Sequence, residues 1–343
     1  MRSTTRNFEK YYNPELHGEI RLDTNTNVLG SNPAAAAALK NLELDLNGYP
    51  NTYSDGLRDA LAELYDLERD NFIVGSGSDE LLDVSFKTFT EWGDSCVSPV
   101  PSYSLYNYFI ELNGGKSINV DLDEDFQLDV DAMLAPKAKV MIMPSPNNPT
   151  GNTFRSKDIE EILERTEGIV IVDEAYGEYA KESMISRVNE FDNLIVLRTF
   201  SKAYAMAAMR VGYAVAGKSV ADMMTCVKIP YSLNAISELT AIAAVKDQDF
   251  IKRSVSMVNE QRPYLDAGLR KLGFETYHSD SNFIMARSPV DHAVLVSKLK
   301  EKGVMIRDFG SKRRTENCVR TTIGTRELND ILLEEIAEVI DEC

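Results

Sequence analysis

Residues 169–202 read IVIVDEAYGEYAKESMISRVNEFDNLIVLRTFSK, and the two apolar runs in this stretch decide the fold. Ile169-Val170-Ile171-Val172 and Leu194-Ile195-Val196-Leu197 are short, unbroken and rich in β-branched residues, the pattern of strands covered on both faces in a parallel sheet. Each run ends in polar residues: Asp173-Glu174-Ala175-Tyr176 after the first, Arg198-Thr199-Phe200-Ser201-Lys202 after the second. Parallel α/β sheets bind ligands outside the carboxyl ends of their strands, so these positions are the ones to read for chemistry.

Working outward, further runs at 72–74, 95–98, 140–143 and 211–216 alternate with amphipathic segments such as 54–67, 79–91 and 156–167. The spacing predicts an α/β large domain, with one mostly parallel sheet flanked by helices. Beyond residue 218 the pattern is helical as far as about 272. It then turns mixed, through ETYHSDSNFIMAR, a helix near 290–302, VMIRDF, CVRTTIG and a final amphipathic helix. This predicts a second, smaller α+β domain. A chain of 343 residues also exceeds the roughly 250–300 residues that one core organises.

Composition narrows the function. With 54 acidic against 37 basic residues and a net charge of −17, most of the surface repels nucleic acid and anionic membrane. Cys96, Cys226, Cys318 and Cys343 are widely separated, which suggests neither a zinc knuckle nor a disulfide scaffold. His17, His278 and His292 form no metal-ligand pair, so no metal is expected. The N-terminus is charged throughout, and nowhere do about 18 apolar residues follow one another. A cytoplasmic chain with reduced thiols is expected.

Three short elements carry the chemistry. Taken alone, Asp173 reads as the cap of a following helix, Lys202 as a solvated surface cation, and Gly75-Ser76-Gly77-Ser78-Asp79-Glu80 as a capped turn. Together they read differently. A strand-end lysine can hold an aldehyde as a Schiff base, a strand-end carboxylate suits a ring nitrogen, and a glycine turn opening a helix offers amides to a phosphate. That combination describes pyridoxal 5'-phosphate.

The chain resembles the fold-type-I pyridoxal-phosphate aminotransferases, and within them the histidinol-phosphate aminotransferase group. The resemblance lies in GSGSDE at 75–80, PSYSLY at 101–106, PNNPTG at 146–151, VDEAY at 172–176, TFSKAYAMAAMRVGY at 199–213, SNFI at 281–284, VMIRDF at 304–309 and VRTTIGT at 319–325, in the family's order. It implies that Lys202 forms the Schiff base and moves the substrate proton, with Asp173 paired to the pyridinium nitrogen. Asn148 and Tyr176 resemble the pair on the cofactor's 3-hydroxyl oxygen, and Tyr103 the residue that stacks on the ring. The phosphate positions match Ser78, the amides of Gly77 and Asp79, Thr199, Ser201 and Arg210. Tyr49 resembles the tyrosine that reaches the neighbouring subunit's phosphate, which implies a homodimer.

Arg320 matches the arginine that clamps the substrate's anionic group, and Arg307 shares that expectation. Lys312, Arg313 and Arg314 read as a solvated loop at least as well as an anion site. The resemblance implies an N-terminal arm over 1–30 contributing to the small domain and dimer contacts, a large cofactor-binding domain over 31–245 and a small domain over 246–343. It also has departures. Asn25-Thr26-Asn27-Val28 stands where the family reads Asn-Glu-Asn-Pro, Gly48 where arginine is common and Asn51 where aspartate is usual. They are expected at the entrance and the neighbouring subunit, away from the cofactor chemistry.

The implied activity is amino transfer between a small-molecule amino donor and a 2-oxo acid, led by histidinol phosphate with 2-oxoglutarate. An aromatic or broad-specificity aminotransferase comes second and a phosphothreonine decarboxylase third. A metabolite-sensing regulator built on the same domain would need a DNA-binding module, for which no room is expected ahead of a sheet that starts near residue 70.

Overall fold

The computed structural model describes residues 20–342; His17, Cys343 and most of the expected N-terminal arm lie outside the described residues. The described chain opens with β1 (Ile20–Arg21), α1 (Pro33–Lys40) and α2 (Asp55–Tyr65). A seven-stranded sheet follows, from β2 (Phe72–Gly75), β3 (Ser95–Val100), β4 (Lys116–Asp121), β5 (Val140–Pro144), β6 (Ile169–Asp173), β7 (Leu194–Thr199) and β8 (Gly212–Ala216). Between its strands run α3 (Ser78–Phe89), α4 (Leu105–Leu112), α5 (Val130–Leu134) and α6 (Ser156–Arg165). Next come α7 (Lys218–Val227), α8 (Ala235–Lys246) and the long α9 (Gln248–Lys271). The remainder is β9 (Glu275–Thr276), β10 (Phe283–Arg287), α10 (His292–Glu301), β11 (Val304–Met305), β12 (Arg307–Asp308), β13 (Cys318–Thr322) and α11 (Arg326–Asp341).

The large sheet has the order β2-β8-β7-β6-β5-β3-β4. Its central strands are apolar throughout because both faces are covered, and the two-residue period sorts their side chains into two cores. Met141, Met143, Val170, Val172 and Val196 join one, while Ile142, Ile171, Ile195 and Leu197 join the other. The helices supply matching stripes; in α6, Ile159, Ile162 and Leu163 are buried at three- and four-residue spacing.

The expectation of a mostly parallel sheet holds, with one strand reversed. β8 runs antiparallel to both neighbours, because the chain returns from β7 through the short segment 200–211 without a crossover helix. β4 was not anticipated. It is an edge strand paired with β3 alone, and only Ile118 and Val120 of Lys-Ser-Ile-Asn-Val-Asp pack on the core, so its apolar signal is weak.

The smaller α+β part is built on the antiparallel sheet β12-β13-β10-β9, with α9 packed on β9, β10 and α11. The start of the described chain joins this part. β1 pairs parallel to β11, and the Thr322 amide and hydroxyl both donate to the Leu22 carbonyl, at 2.8 and 2.9 Å. Among the described residues no helix is long and apolar enough to cross a membrane.

Candidate active site

The carboxyl ends of β3, β5, β6 and β7 open into one cavity of about 990 Å³, bounded on its other side by β12, β13 and the segment 21–26. At its centre Asp173 ends β6 and is only 8% exposed. Its Oδ2 accepts from the Tyr106 hydroxyl at 2.8 Å and its Oδ1 from the Ala175 amide at 3.1 Å. Burial pushes the carboxyl up to about 6, against the pull of those two donors. No cation pairs with it among the described residues. The next residue of the motif has a separate task. Glu174 is buried against Arg198 at 2.7 Å, and Arg198 also meets Glu178 at 2.9 Å.

Lys202 lies just beyond β7, and its Nζ donates to the Thr24 carbonyl at 3.0 Å. The same Nζ stands 5.7 Å from the centre of the Tyr176 ring. Here the early segment acts as a strap across the site. Asn25 Nδ2 donates to the Tyr176 hydroxyl at 3.0 Å, and Asn27 Nδ2 donates to the Ala203 carbonyl at 3.0 Å. Asn25 takes a left-handed φ of 55°, which asparagine tolerates better than most residues. Asn282 Nδ2 secures it by donating to the Asn25 carbonyl at 3.0 Å. This corrects the expectation that the 25–28 segment stands away from the chemistry: Thr24, Asn25 and Thr26 all line the cavity.

An anion cradle lies at one end. Gly77 precedes α3 with φ 82°, and no side chain caps the helix, whose first amides have no partner within the helix. A Cβ on Gly77 would stand 2.8 Å from Arg210 Nη2, and one on Gly212 only 2.3 Å from the Ser78 amide nitrogen. These two glycines therefore allow a guanidinium and a second strand to close on the helix start. Arg210 pairs with Asp79 at 3.1 Å, and Thr199 and Ser201 share a hydroxyl hydrogen bond of 3.0 Å. One expected donor is taken: the Gly77 amide donates to the Gly75 carbonyl at 2.9 Å, which leaves the Ser78 and Asp79 amides to face an anion.

At the other end, Arg307 and Arg320 are register partners on β12 and β13, so their side chains leave the same face of the sheet. Arg320 is 5% exposed. It donates through Nη1 to Asn148 Oδ1 and through Nη2 to the Asp23 carbonyl at 2.7 Å, and its guanidinium lies 5.0 Å from the Phe283 ring centre. The solvated-loop reading of 312–314 is only half right. Lys312 and Arg313 both line the cavity, and Arg313 also pairs with Asp121 while Arg314 Nη2 donates to the Asp123 carbonyl at 3.0 Å, joining the loop to the carboxyl end of β4.

Of the expected site residues, Ser78, Asp79, Tyr103, Asn148, Asp173, Tyr176, Thr199, Ser201, Lys202, Arg210, Arg307 and Arg320 line this one cavity. Gly77 shapes it from behind. Tyr49 does not line it; it is 85% exposed, against the Tyr231 ring. Sequence reading passed over Asp23, Thr24 and Tyr106, although Tyr106 stood inside the quoted PSYSLY. Among the described residues, no group of three or more His, Cys, Asp or Glu side chains is placed to hold a metal ion.

The donor set fits pyridoxal phosphate. A buried carboxylate lacking a cation suits a protonated ring nitrogen, an amine bonded only to a carbonyl suits an aldehyde, and the cradle suits a phosphate. Comparison with known proteins agrees. The chain is 33% identical over 347 aligned residues to the histidinol-phosphate aminotransferase of Ruminiclostridium cellulolyticum, covering 98% of this chain and 97% of that one. It is 34% identical to that of Methanocaldococcus jannaschii, covering 94% and 89%. The crystal structure of the Sinorhizobium meliloti histidinol-phosphate aminotransferase in complex with pyridoxal 5'-phosphate superposes with a TM-score of 0.88 at 25% identity, covering 94% and 91%. Residues 18–336 match the family described as aminotransferase class I and II, and with the strand-end lysine and carboxylate already in one cavity, the chain belongs to that family of fold-type-I, pyridoxal-phosphate-dependent enzymes.

Proposed function

We propose that the chain moves an amino group between histidinol phosphate and 2-oxoglutarate, and so serves histidine biosynthesis in the cytoplasm. The observation that carries this reading is the register pairing of Arg307 with Arg320 in the wall of the cavity that holds Lys202. A phosphate monoester carries about −1.5 to −2 at neutral pH, which two guanidiniums match, while the distal carboxylate of a 2-oxo diacid needs only one. The curated names of the relatives support the same donor.

Pyridoxal phosphate, when bound, supplies an aldehyde for the amino group and a ring that takes up electrons as the substrate carbon loses its proton. Lys202 would be the amine that holds the cofactor at rest; freed from it, the same amine would take the proton from the substrate carbon as a base and deliver it to the cofactor's carbon as an acid. Asp173 serves the ring nitrogen, Asn148 and Tyr176 the 3-hydroxyl oxygen, and Tyr103 the ring face. Ser78, the Asp79 amide, Thr199, Ser201 and Arg210 would hold the phosphate, while β12, β13 and the strap wall the cavity on its other side.

A homodimer completes the reading, with Tyr49 reaching the neighbouring subunit's phosphate. Supporting it, Leu46 and Tyr49 on one segment and Ile229 and Tyr231 on another are exposed, and the two tyrosine rings meet at 5.0 Å. We also assign the described part of the N-terminal arm, residues 20–30, to the small domain, in keeping with the β1–β11 pairing.

The test compares kcat/KM for histidinol phosphate and histidinol in the native enzyme and in Arg320→Ala. The native enzyme should strongly prefer the phosphorylated donor. Arg320→Ala should lose about 2–5 kcal/mol of that preference, the usual cost of leaving a buried ionic partner unpaired. Equal use of both donors by the native enzyme removes the phosphate reading and puts the aromatic aminotransferase in its place.

A further inference from the structure

Asp173 is asked to stay charged in a place where burial opposes charge. Two donors help it, the Ala175 amide on Oδ1 and the Tyr106 hydroxyl on Oδ2. The amide comes from Asp173's own turn, whereas the hydroxyl is brought from the first turn of α4, across the end of the sheet. Tyr106 is 1% exposed and also meets Tyr103 edge to face, with ring centres 5.4 Å apart at 82°. One side chain thus touches both the carboxylate at the end of β6 and the aromatic ring expected over the cofactor.

We infer that Tyr106 is a positioning residue for the cofactor site: its hydroxyl orients Asp173 and favours the carboxylate's charged form, and its ring edge fixes the plane of Tyr103. A carboxylate offers about four lone-pair positions; with two in use, a ring N–H still finds an acceptor. Burial drives the Tyr106 phenol well above its usual range, so it remains a donor wherever Asp173 titrates. The other charged groups around Asp173 cannot substitute for it. Asp79 at the start of α3 and the adjacent Glu174 oppose its ionisation, Arg210 is engaged with Asp79, and Lys202 donates to Thr24.

The inference rests on the reading that Asp173 serves the ring nitrogen, and two measurements keep the claims apart. In cofactor-free protein labelled with carboxyl-¹³C aspartate, the Asp173 resonance, assigned by its loss in Asp173→Asn, is titrated by NMR. Tyr106→Phe keeps the ring and removes the donor, so the midpoint should rise by about one pH unit, a roughly tenfold gain in proton affinity. 3-Fluorotyrosine placed at position 106, a stronger donor of nearly the same size, should lower the midpoint. A midpoint indifferent to both changes overturns the inference whatever the cofactor does. Affinity for added pyridoxal phosphate, read from quenching of protein fluorescence, should fall about 5- to 20-fold in Tyr106→Phe, as loss of a charge-assisted contact does. If Asp173→Asn leaves that affinity and turnover unchanged, the reading of Asp173 itself fails, and the positioning role fails with it.

Discussion

The two ends of the cavity are built on different plans. Around Asp173, Thr199, Ser201 and Lys202 each group stands at the end of a strand buried in the large sheet, or within a few residues of one. At the other end Arg307 belongs to a two-residue strand, and the 312–314 loop reaches the end of β4 through one exposed ion pair and a backbone carbonyl. One end is thus set wholly by the core of the large sheet, while the other combines one buried residue, Arg320 on β13, with peripheral contacts laid over it. Such a division lets the reaction stay fixed while the substrate changes, because a few pocket side chains alter selectivity by about 10- to 200-fold without disturbing the frame.

The sharpest way to break this contrast is at the core end. Lys202→Ala should lower amino transfer by roughly three orders of magnitude or more, since it removes both the cofactor-holding amine and the proton carrier. Borohydride reduction of the native holoenzyme and peptide mapping should place the pyridoxyl label on Lys202; label on another lysine would show that the chemistry is not anchored at β7.

A second test separates working groups from stabilising ones. The Asp173 carboxyl rises from 3.8 in the unfolded chain to about 6 in the cofactor-free fold. The folded state therefore binds the proton more tightly, and this group favours folding below pH 4 and loses that contribution as pH climbs through 6. At pH 7 the buried charge costs on the order of 2–3 kcal/mol. Asp173→Asn should thus be the more stable protein at pH 7 when free of cofactor, by up to that amount, and yet turn over poorly. Urea unfolding from pH 4 to 8 checks it: the native protein should lose stability across the window relative to Asp173→Asn, and parallel curves would mean that Asp173 carries no such cost.

The smallest effect is expected at the periphery. The Arg313–Asp121 pair is largely exposed, so Arg313→Ala should cost less than about 1 kcal/mol in stability and change donor kcat/KM only a few-fold. A loss of a hundredfold would turn the loop from a cover into part of the working site, and the contrast between the two ends would dissolve.

The same contrast explains what the sequence disclosed. Asp173, Ser201 and Lys202 were legible because Asp173 follows directly on an apolar run and the other two stand within a few residues of one, so local pattern and local chemistry coincide. Arg307 and Arg320 were legible as motif residues, but their adjacency was not, since it depends on strand register. Asn25 meets Tyr176 across 151 positions, and Asp23 meets Arg320 across 297; no periodicity carries information over such distances. Tyr106 was overlooked for another reason. On an amphipathic helix an aromatic residue already has a sufficient explanation in packing, and its hydroxyl leaves no mark in the pattern.

The hydrogen bond from Lys202 to the Thr24 carbonyl has a consequence for genetics. Every residue carries that oxygen, so replacing the threonine leaves the acceptor in place, and a scan through all twenty amino acids at position 24 is blind to it. The partner on which the central lysine rests is thus written in the course of the chain and in no codon. The neighbouring Asn25 differs, because its contact with Tyr176 is made by the side-chain amide. Only a chemist's change to the backbone itself, an ester in place of the amide or a shift of the strap by one residue, would bring the lysine's contact into view.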